Sequence, residues 1–181
     1  MVRQENNIVG RDQVGRDKFE THYHVPRTHM SELIDRYKKE CQSNTVFHDK
    51  VEELEAYCSP ASRGDVLGLD EKLENGGYSD FREYAVKTKE RFFKKLVRFQ
   101  LYESAQRIYA FVLADVCTRY HNDVYPLVLE GKSQAEIHSA IQRNVVDPVQ
   151  AILEENVLGI MADEINGALY FLTGNCHIKW V

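Results

Sequence analysis

Ser79 to Phe99 reads SDFREYAVKTKERFFKKLVRF, and its spacing decides the fold. Ser79-Asp80 offers a helix start, and Phe81, Ala85, Thr88, Phe92, Leu96 and Phe99 then step by three or four. That is the signature of an amphipathic α-helix with one apolar face. Phe92 and the adjacent Phe93 are both assigned to the core side. A second helix follows from about Tyr102 to Tyr125, with Ala105, Ile108, Tyr109, Val112, Leu113, Val116, Cys117 and Tyr120 on a wide apolar face. A face that wide predicts a central helix packed on more than one side. Pro126 is expected to kink or end it, because proline lacks the backbone N–H that the helix needs.

Helical text extends to both sides of this pair. Downstream, Ser133-Gln134-Ala135-Glu136 is a capping box that starts a helix reaching about Arg143. Asp147-Pro148 reads as a cap with proline at the first helical position, leading Val149, Ile152 and Leu153. Met161, Ile165, Leu169 and Leu172 mark a last helix that Gly174 can close. Cys176 to Val181 is a short alternating tail, and Trp180 is expected to lie back on the body, since a packed indole buries about 150–250 Å². Upstream, Leu69 to Glu74 is a short helix closed by Asn75-Gly76-Gly77, and Ala61 to Gly68 is a loop. Thr45 caps a helix through Phe47, Val51, Leu54 and Cys58 that Ser59-Pro60 stops, and Thr28 or Ser31 caps one carrying Leu33, Ile34 and Tyr37. Residues 28–181 therefore read as one all-α, helical-bundle domain, and the fold class as mainly α.

Residues 1–27 differ. Val9-Gly10-Arg11-Asp12-Gln13 is followed directly by Val14-Gly15-Arg16-Asp17-Lys18, and Phe19 opens a third unit. A period of five fits neither a helix nor a flat strand. Regular short repeats with a glycine turn are how β-solenoids are written, and one repeat cannot bury its own apolar row. Ile8 to Val25 is accordingly expected to be a short β arm, ended by Pro26, that oligomerises or docks. Ile8, Val9, Val14 and Phe19 would supply the apolar contact. Arg11, Asp12, Arg16 and Asp17 would set register between stacked copies, because exposed pairs are worth only about 0.2–1 kcal/mol. Gly10 and Gly15 do not form a phosphate loop, which needs a Gly-Lys-Ser/Thr ending.

Bulk properties narrow the class. The 181 residues are 43% apolar and 28% charged, with net charge −5, which argues against a general nucleic-acid coat. The polar N-terminus has no signal-peptide core, and no apolar run is long enough to span a membrane. Cys41, Cys58, Cys117 and Cys176 are widely spaced and read as reduced thiols, so a cytoplasmic location is expected.

Several constellations invite chemistry. Lys87, Arg91, Lys94, Lys95 and Arg98 form a basic stripe that could meet an acidic protein partner or phosphates, or simply be a solvated helix face. Cys176-His177 is half of a zinc site without a second pair, and reads better as a packed thiol and a hydrogen-bonded imidazole. His22 and His24 would share a strand face about 7 Å apart, where a metal could sit with His29 as third ligand. The alternative is an exposed polar face that titrates near pH 6.5. His121, Asp123 and Asp115 imitate an acid–base cluster, but Asp115 should pair with Arg119 one helical turn on, and His121 and Asp123 should point apart. No nucleophile motif accompanies them. No cofactor is expected.

The C-terminal text Gly167-Ala168-Leu169-Tyr170-Phe171-Leu172-Thr173-Gly174-Asn175-Cys176-His177-Ile178-Lys179-Trp180 resembles the ending of a helical domain in bacterial ABC three-component systems, over about residues 79–181. The Val-Gly-Arg-Asp opening is similar to repeat arms of bacterial conflict and signalling proteins. The resemblance implies an operon with an ABC ATPase related to chromosome-maintenance ATPases and a small middle subunit on which this helical domain docks. An effector domain usually precedes it in that family, whereas here the arm and about 50 residues precede it. The expectation is a non-enzymatic assembly or adaptor subunit of a defence system. It would self-associate through its arm and bind a protein partner from its own operon. A small His/Asp- or metal-dependent effector enzyme and a nucleic-acid-binding regulator are the alternatives.

Overall fold

In the computed structural model, the central helix is α5 (Glu103–Arg119), as the width of its apolar face predicts. Ala105, Ile108, Tyr109, Val112, Leu113 and Val116 are all buried. Around it pack α1 (His29–Ser43), α2 (Glu52–Cys58), α4 (Arg82–Phe99), α8 (Asp147–Ile152) and α9 (Ala162–Gly174). The remaining elements are α3 (Leu69–Asn75), α6 (Tyr125–Leu129), α7 (Gln134–Ile141) and a 3-10 turn at Ser79–Phe81. The structure describes residues 28–61, 67–153 and 155–181, and these contain no strand. The expected β arm, from Ile8 to Phe19 with His22 and His24, lies outside the described residues.

The helix starts follow local chemistry. Thr28 caps α1 by accepting from the Ser31 amide at 3.0 Å. At α7 the capping box is complete: the Glu136 amide donates to Ser133 Oγ at 3.3 Å, and the Ser133 amide donates to the Glu136 carboxylate at 3.0 Å. Where local text and tertiary contacts compete, the contacts win. The helix expected to begin at Thr45 starts only at Glu52. Gln106 of α5 explains why: it accepts from the Val51 amide at 2.8 Å and donates to the carbonyls of Asp49 at 2.8 Å and Gln100 at 2.6 Å. These bonds satisfy backbone groups that a longer helix would otherwise have paired.

Pro126 and Pro148 are handled by one device. A π-turn at Tyr120–Val124 joins α5 to α6, with the Tyr125 amide bonded to the Tyr120 carbonyl. A second π-turn, Gln142–Val146, joins α7 to α8, with the Asp147 amide bonded to the Gln142 carbonyl. Each ends two residues before a proline, Pro126 or Pro148. The wider turn moves the preceding carbonyls out of the path of the proline ring and absorbs its missing donor. Helical backbone therefore runs past Pro126 to Leu129. Asp147 is not a fresh cap: it has helical angles and accepts from the Gln142 side chain at 2.6 Å.

The tightest helix pair is α4 against α9. A Cβ on Gly167 would lie 2.8 Å from Phe92 Cβ and closer still to the Thr88 carbonyl oxygen, so only glycine permits this approach. The C-terminal tail then straps the body. Ile178 and Trp180 are buried, and the indole stacks on Tyr170 with ring centroids 6.2 Å apart and donates to Thr173 Oγ1 at 3.1 Å. Tyr78 and Tyr120 complete its cage at 4.8 and 5.6 Å. Gly76 makes room for it, since a Cβ there would fall 2.9 Å from Trp180 Cβ.

Candidate functional site: an apolar groove along α4

Helix α4 has three differently used sides. Ala85, Thr88, Phe92 and Leu96 point into the core. At 100° per residue, Val86, Phe93 and Val97 lie about 120° round the axis from that row. These are solvent-facing: Val86 is 36% exposed, Phe93 49%, Val97 40%, and Leu101 just beyond the helix 44%. Phe93 is thus a correction to its core assignment. Phe92 takes the core position and Phe93 stacks outside it on Phe171, with centroids 6.2 Å apart and planes 17° from parallel. The signal was present as a second apolar row spaced seven, four and four, but it was overshadowed by the stronger inner row.

Two hollows flank the Phe93–Phe171 stack. One, of about 490 Å³, lies between α4 and the start of α3 and is lined by Val86 and Leu69. The other, of about 510 Å³, lies between α4, the segment at 48–50 and α2, and is lined by Val97, Leu101 and Leu54. Phe93 and Phe171 border both, so the hollows form one groove with an aromatic ridge in the middle. No helix among the described residues covers it. A contiguous exposed apolar surface of this kind is the usual mark of a protein interface.

The basic stripe occupies the third side of α4, and the structure divides it. Arg91 pairs with Asp163 and approaches Glu164 at 3.7 Å. Lys95 pairs with Glu164 at 2.8 Å and also donates to the Gly159 carbonyl. Both therefore anchor the start of α9, where the buried Glu164 carboxylate also accepts from the Met161 amide at 2.7 Å. Lys87, Lys94 and Arg98 stay exposed. Lys94 reaches Glu90 at 3.4 Å, and Arg98 lies over the Phe99 ring at 5.6 Å.

Cys176, His177 and Trp180 close the bundle together. The Lys72 ammonium donates to Cys176 Sγ at 3.1 Å, and His177 Nε2 meets the Ser59 carbonyl at 3.0 Å while its ring leans on Tyr57. Asn175 ties the same corner through the Tyr57 carbonyl at 3.0 Å. This is the packed-thiol and hydrogen-bonded-imidazole arrangement. Among the described residues, no group of three or more His, Cys, Asp or Glu side chains is placed to hold a metal ion.

The His121 cluster is not assembled as an acid–base pair. Asp115 and Arg119 pair at 2.8 Å along one turn. His121 Nδ1 meets the Cys117 carbonyl at 2.8 Å, and no hydrogen bond among the described residues joins it to Asp123. Burial pushes the Cys117 thiol up, the reverse of what a nucleophilic thiolate needs. No helix among the described residues is long and apolar enough to cross a membrane.

No curated protein and no solved structure matches this chain. One family model does, over residues 68–180: C-terminal domain 9 of the ABC-three component (ABC-3C) systems. The matched span begins just before α3, so it takes in the helix that borders the groove as well as the α4–α9 pair and the Trp180 strap. Since the match covers more than half of the sequence, from just before α3 to the Trp180 strap, the chain belongs to the C-terminal domain 9 family of ABC-three component systems.

Proposed function

We propose that this protein is a non-enzymatic adaptor of its ABC-three component system, which docks a protein partner through its helical body and self-associates through its N-terminal arm. The observation that carries the docking half is the apolar groove along α4. Val86, Phe93, Val97 and Leu101 stay in water although neighbouring Phe92 and Leu96 are buried. Exposing such a row costs solubility and gains the isolated chain nothing, whereas covering it stabilises a complex by about 25 cal/mol per Å² of apolar area. Partners from the same operon, the small middle subunit or the ABC ATPase, are the expected occupants. The arm half rests on the Val9-Gly10-Arg11-Asp12 and Val14-Gly15-Arg16-Asp17 repeat.

Co-expression of the full chain with the other components of its operon tests the docking. Wild type should retain a partner on affinity resin and Phe93→Asp should lose it. Because Phe93 is half exposed, the variant should melt within about 2 °C of wild type. Retention of every partner by folded Phe93→Asp refutes docking through α4. Light scattering tests the arm: equal monomeric masses for the full chain and a chain lacking residues 1–27 would refute self-association through it.

A further inference from the structure

We infer that Lys72 and Cys176 form a covalent clamp under oxidation: hydrogen peroxide oxidises the Cys176 thiol, and the Lys72 amine captures the oxidised sulfur as an S–N bond. This modification site stands apart from the α4 groove and does not depend on the docking reading above.

Distance, restraint and access all favour the reaction. Lys72 Nζ lies 3.1 Å from Cys176 Sγ, inside the ~3–3.5 Å of a near-attack contact. Both groups are held there. The Lys72 ammonium also donates to the Thr173 carbonyl, and no carboxylate among the described residues pairs with it, so its loss of a proton breaks no ion pair. Cys176 has φ +63°, the left-handed conformation that usually falls to glycine at a helix end. It is fixed there by its own amide on the Thr173 carbonyl at 3.2 Å and by the His177 amide on the Leu172 carbonyl at 2.9 Å. The pair opens on a hollow of about 330 Å³, which Lys72 and Cys176 line together with Leu67, Ile178, Trp180 and Val181. Hydrogen peroxide, little larger than a water molecule, fits such a space. No other cysteine among the described residues accepts a hydrogen bond from a lysine: Cys41 is exposed, and burial pushes the thiols of Cys58 and Cys117 up, which slows their oxidation.

The chemistry balances in two steps. The Cys176 sulfur attacks one peroxide oxygen and the O–O bond breaks. Cys176 becomes a sulfenic acid, S–OH, and the leaving hydroxide takes the thiol proton to become water. Lys72, having given one proton to solvent, then attacks the sulfur. The N–S bond forms, the S–O bond breaks, and the hydroxyl leaves as water with a further amine proton. One peroxide is reduced to two waters, and the sulfur supplies both electrons. The product lacks two hydrogen atoms of the reduced chain, a loss of about 2 Da. Sulfenic acids condense with nitrogen in this way, and an amine already in contact reacts ahead of thiols in solution. The link joins residues 104 apart in sequence and so ties α3 to the turn that follows α9. Closing a loop of that length restricts the unfolded chain and stabilises the folded one.

The test treats the full, reduced chain with a small excess of hydrogen peroxide and reads intact mass, peptide maps and Tm. Wild type should lose about 2 Da, yield one joined peptide containing Lys72 and Cys176, and return to its starting mass with dithiothreitol. Lys72→Arg keeps the charge and a hydrogen-bond donor but has no nucleophilic amine. Its Cys176 should instead gain oxygen, about 16–48 Da, with no joined peptide. Clamped wild type should melt at least about 5 °C above the reduced chain, and oxidised Lys72→Arg should not. Wild type whose Cys176 gains oxygen while Lys72 stays free overturns the inference, as does a Cys176 that peroxide leaves untouched. A 2-Da loss at Cys176 that persists in Lys72→Arg assigns the bond to some other group and overturns it equally. A Lys72–Cys176 link that leaves Tm unchanged overturns the clamp.

Discussion

Gly167→Ala tests the packing that holds the fold together. A single methyl group at Gly167 would stand 2.8 Å from Phe92 Cβ, with the Thr88 carbonyl carbon also at 2.8 Å. Ordinary carbon–carbon contact begins near ~3.5 Å, so α4 and α9 must separate by most of an ångström. Neither obstacle can step aside: one is α4 backbone and the other is the first side-chain atom of a fully buried phenylalanine. Overpacking of this kind costs about 1–3 kcal/mol and occasionally more. Alanine recovers up to about 1 kcal/mol through its better helix propensity. The net loss should be about 2 kcal/mol, or roughly 4–8 °C in Tm for a chain of this size. Gly174→Ala is the matched control, because its methyl would meet only the ammonium end of Lys89, which can swing away. Urea unfolding followed by circular dichroism, with Tm by calorimetry, reads both variants. Gly167→Ala at or above wild-type stability, or Gly174→Ala equally destabilised, would refute the close α4–α9 contact.

Four further outcomes are expected. Trp180→Ala empties the cage of Tyr78, Tyr120 and Tyr170 and leaves Thr173 Oγ1 without its indole donor, so it should cost about 3–5 kcal/mol in urea unfolding. Lys95→Met leaves the buried Glu164 carboxylate with Arg91 at 3.7 Å, Asp163's neighbour, as its remaining cation, and should cost about 1–3 kcal/mol. Lys94→Met, whose pair is exposed, should stay within about 0.5 kcal/mol of wild type. Burial holds the His138 imidazole below its ordinary value of 6.5, with Nε2 shut from solvent and unbonded and the ring 4.0 Å from Phe81. The unfolded chain thus takes up the proton first as pH falls, so this group's stability term is intact above pH 6.5 and is lost below it. Parallel melts at pH 7.5 and 5.5 should show a smaller acid loss for His138→Phe than for wild type; equal losses would remove the histidine from the account.

Much of the architecture was legible in the residues because helices advertise themselves locally. The inner row of α4, the wide face of α5, the Ser133 capping box and the burial of Trp180 all follow from spacing, capping and apolar area. Two further features were visible and misjudged. Pro126 and Asp147-Pro148 carry standard helix-stop and helix-start signals, yet a π-turn before each proline lets the helix continue. The proline is legible, but whether the chain answers it by stopping or by widening one turn leaves no mark in composition. Thr45 is a good cap that goes unused, because Gln106, more than fifty residues away, claims the backbone groups of Asp49 and Val51.

The candidate site divides in the same way. The sequence by itself determined that α4 has an apolar row, a basic row and a phenylalanine pair, because helical periodicity depends only on neighbours along the chain. It could not determine which phenylalanine faces inward, or which cations are spent. Only the tertiary structure decided that Phe92 meets Tyr109 while Phe93 lies outside on Phe171. It also decided that Arg91 and Lys95 are bound to the start of α9 while Lys87 and Lys94 stay exposed. The physical reason is that burial and ion pairing are properties of two surfaces brought together. The second surface, α9, lies some seventy residues further along the chain, and Gly167 sets how closely it can approach.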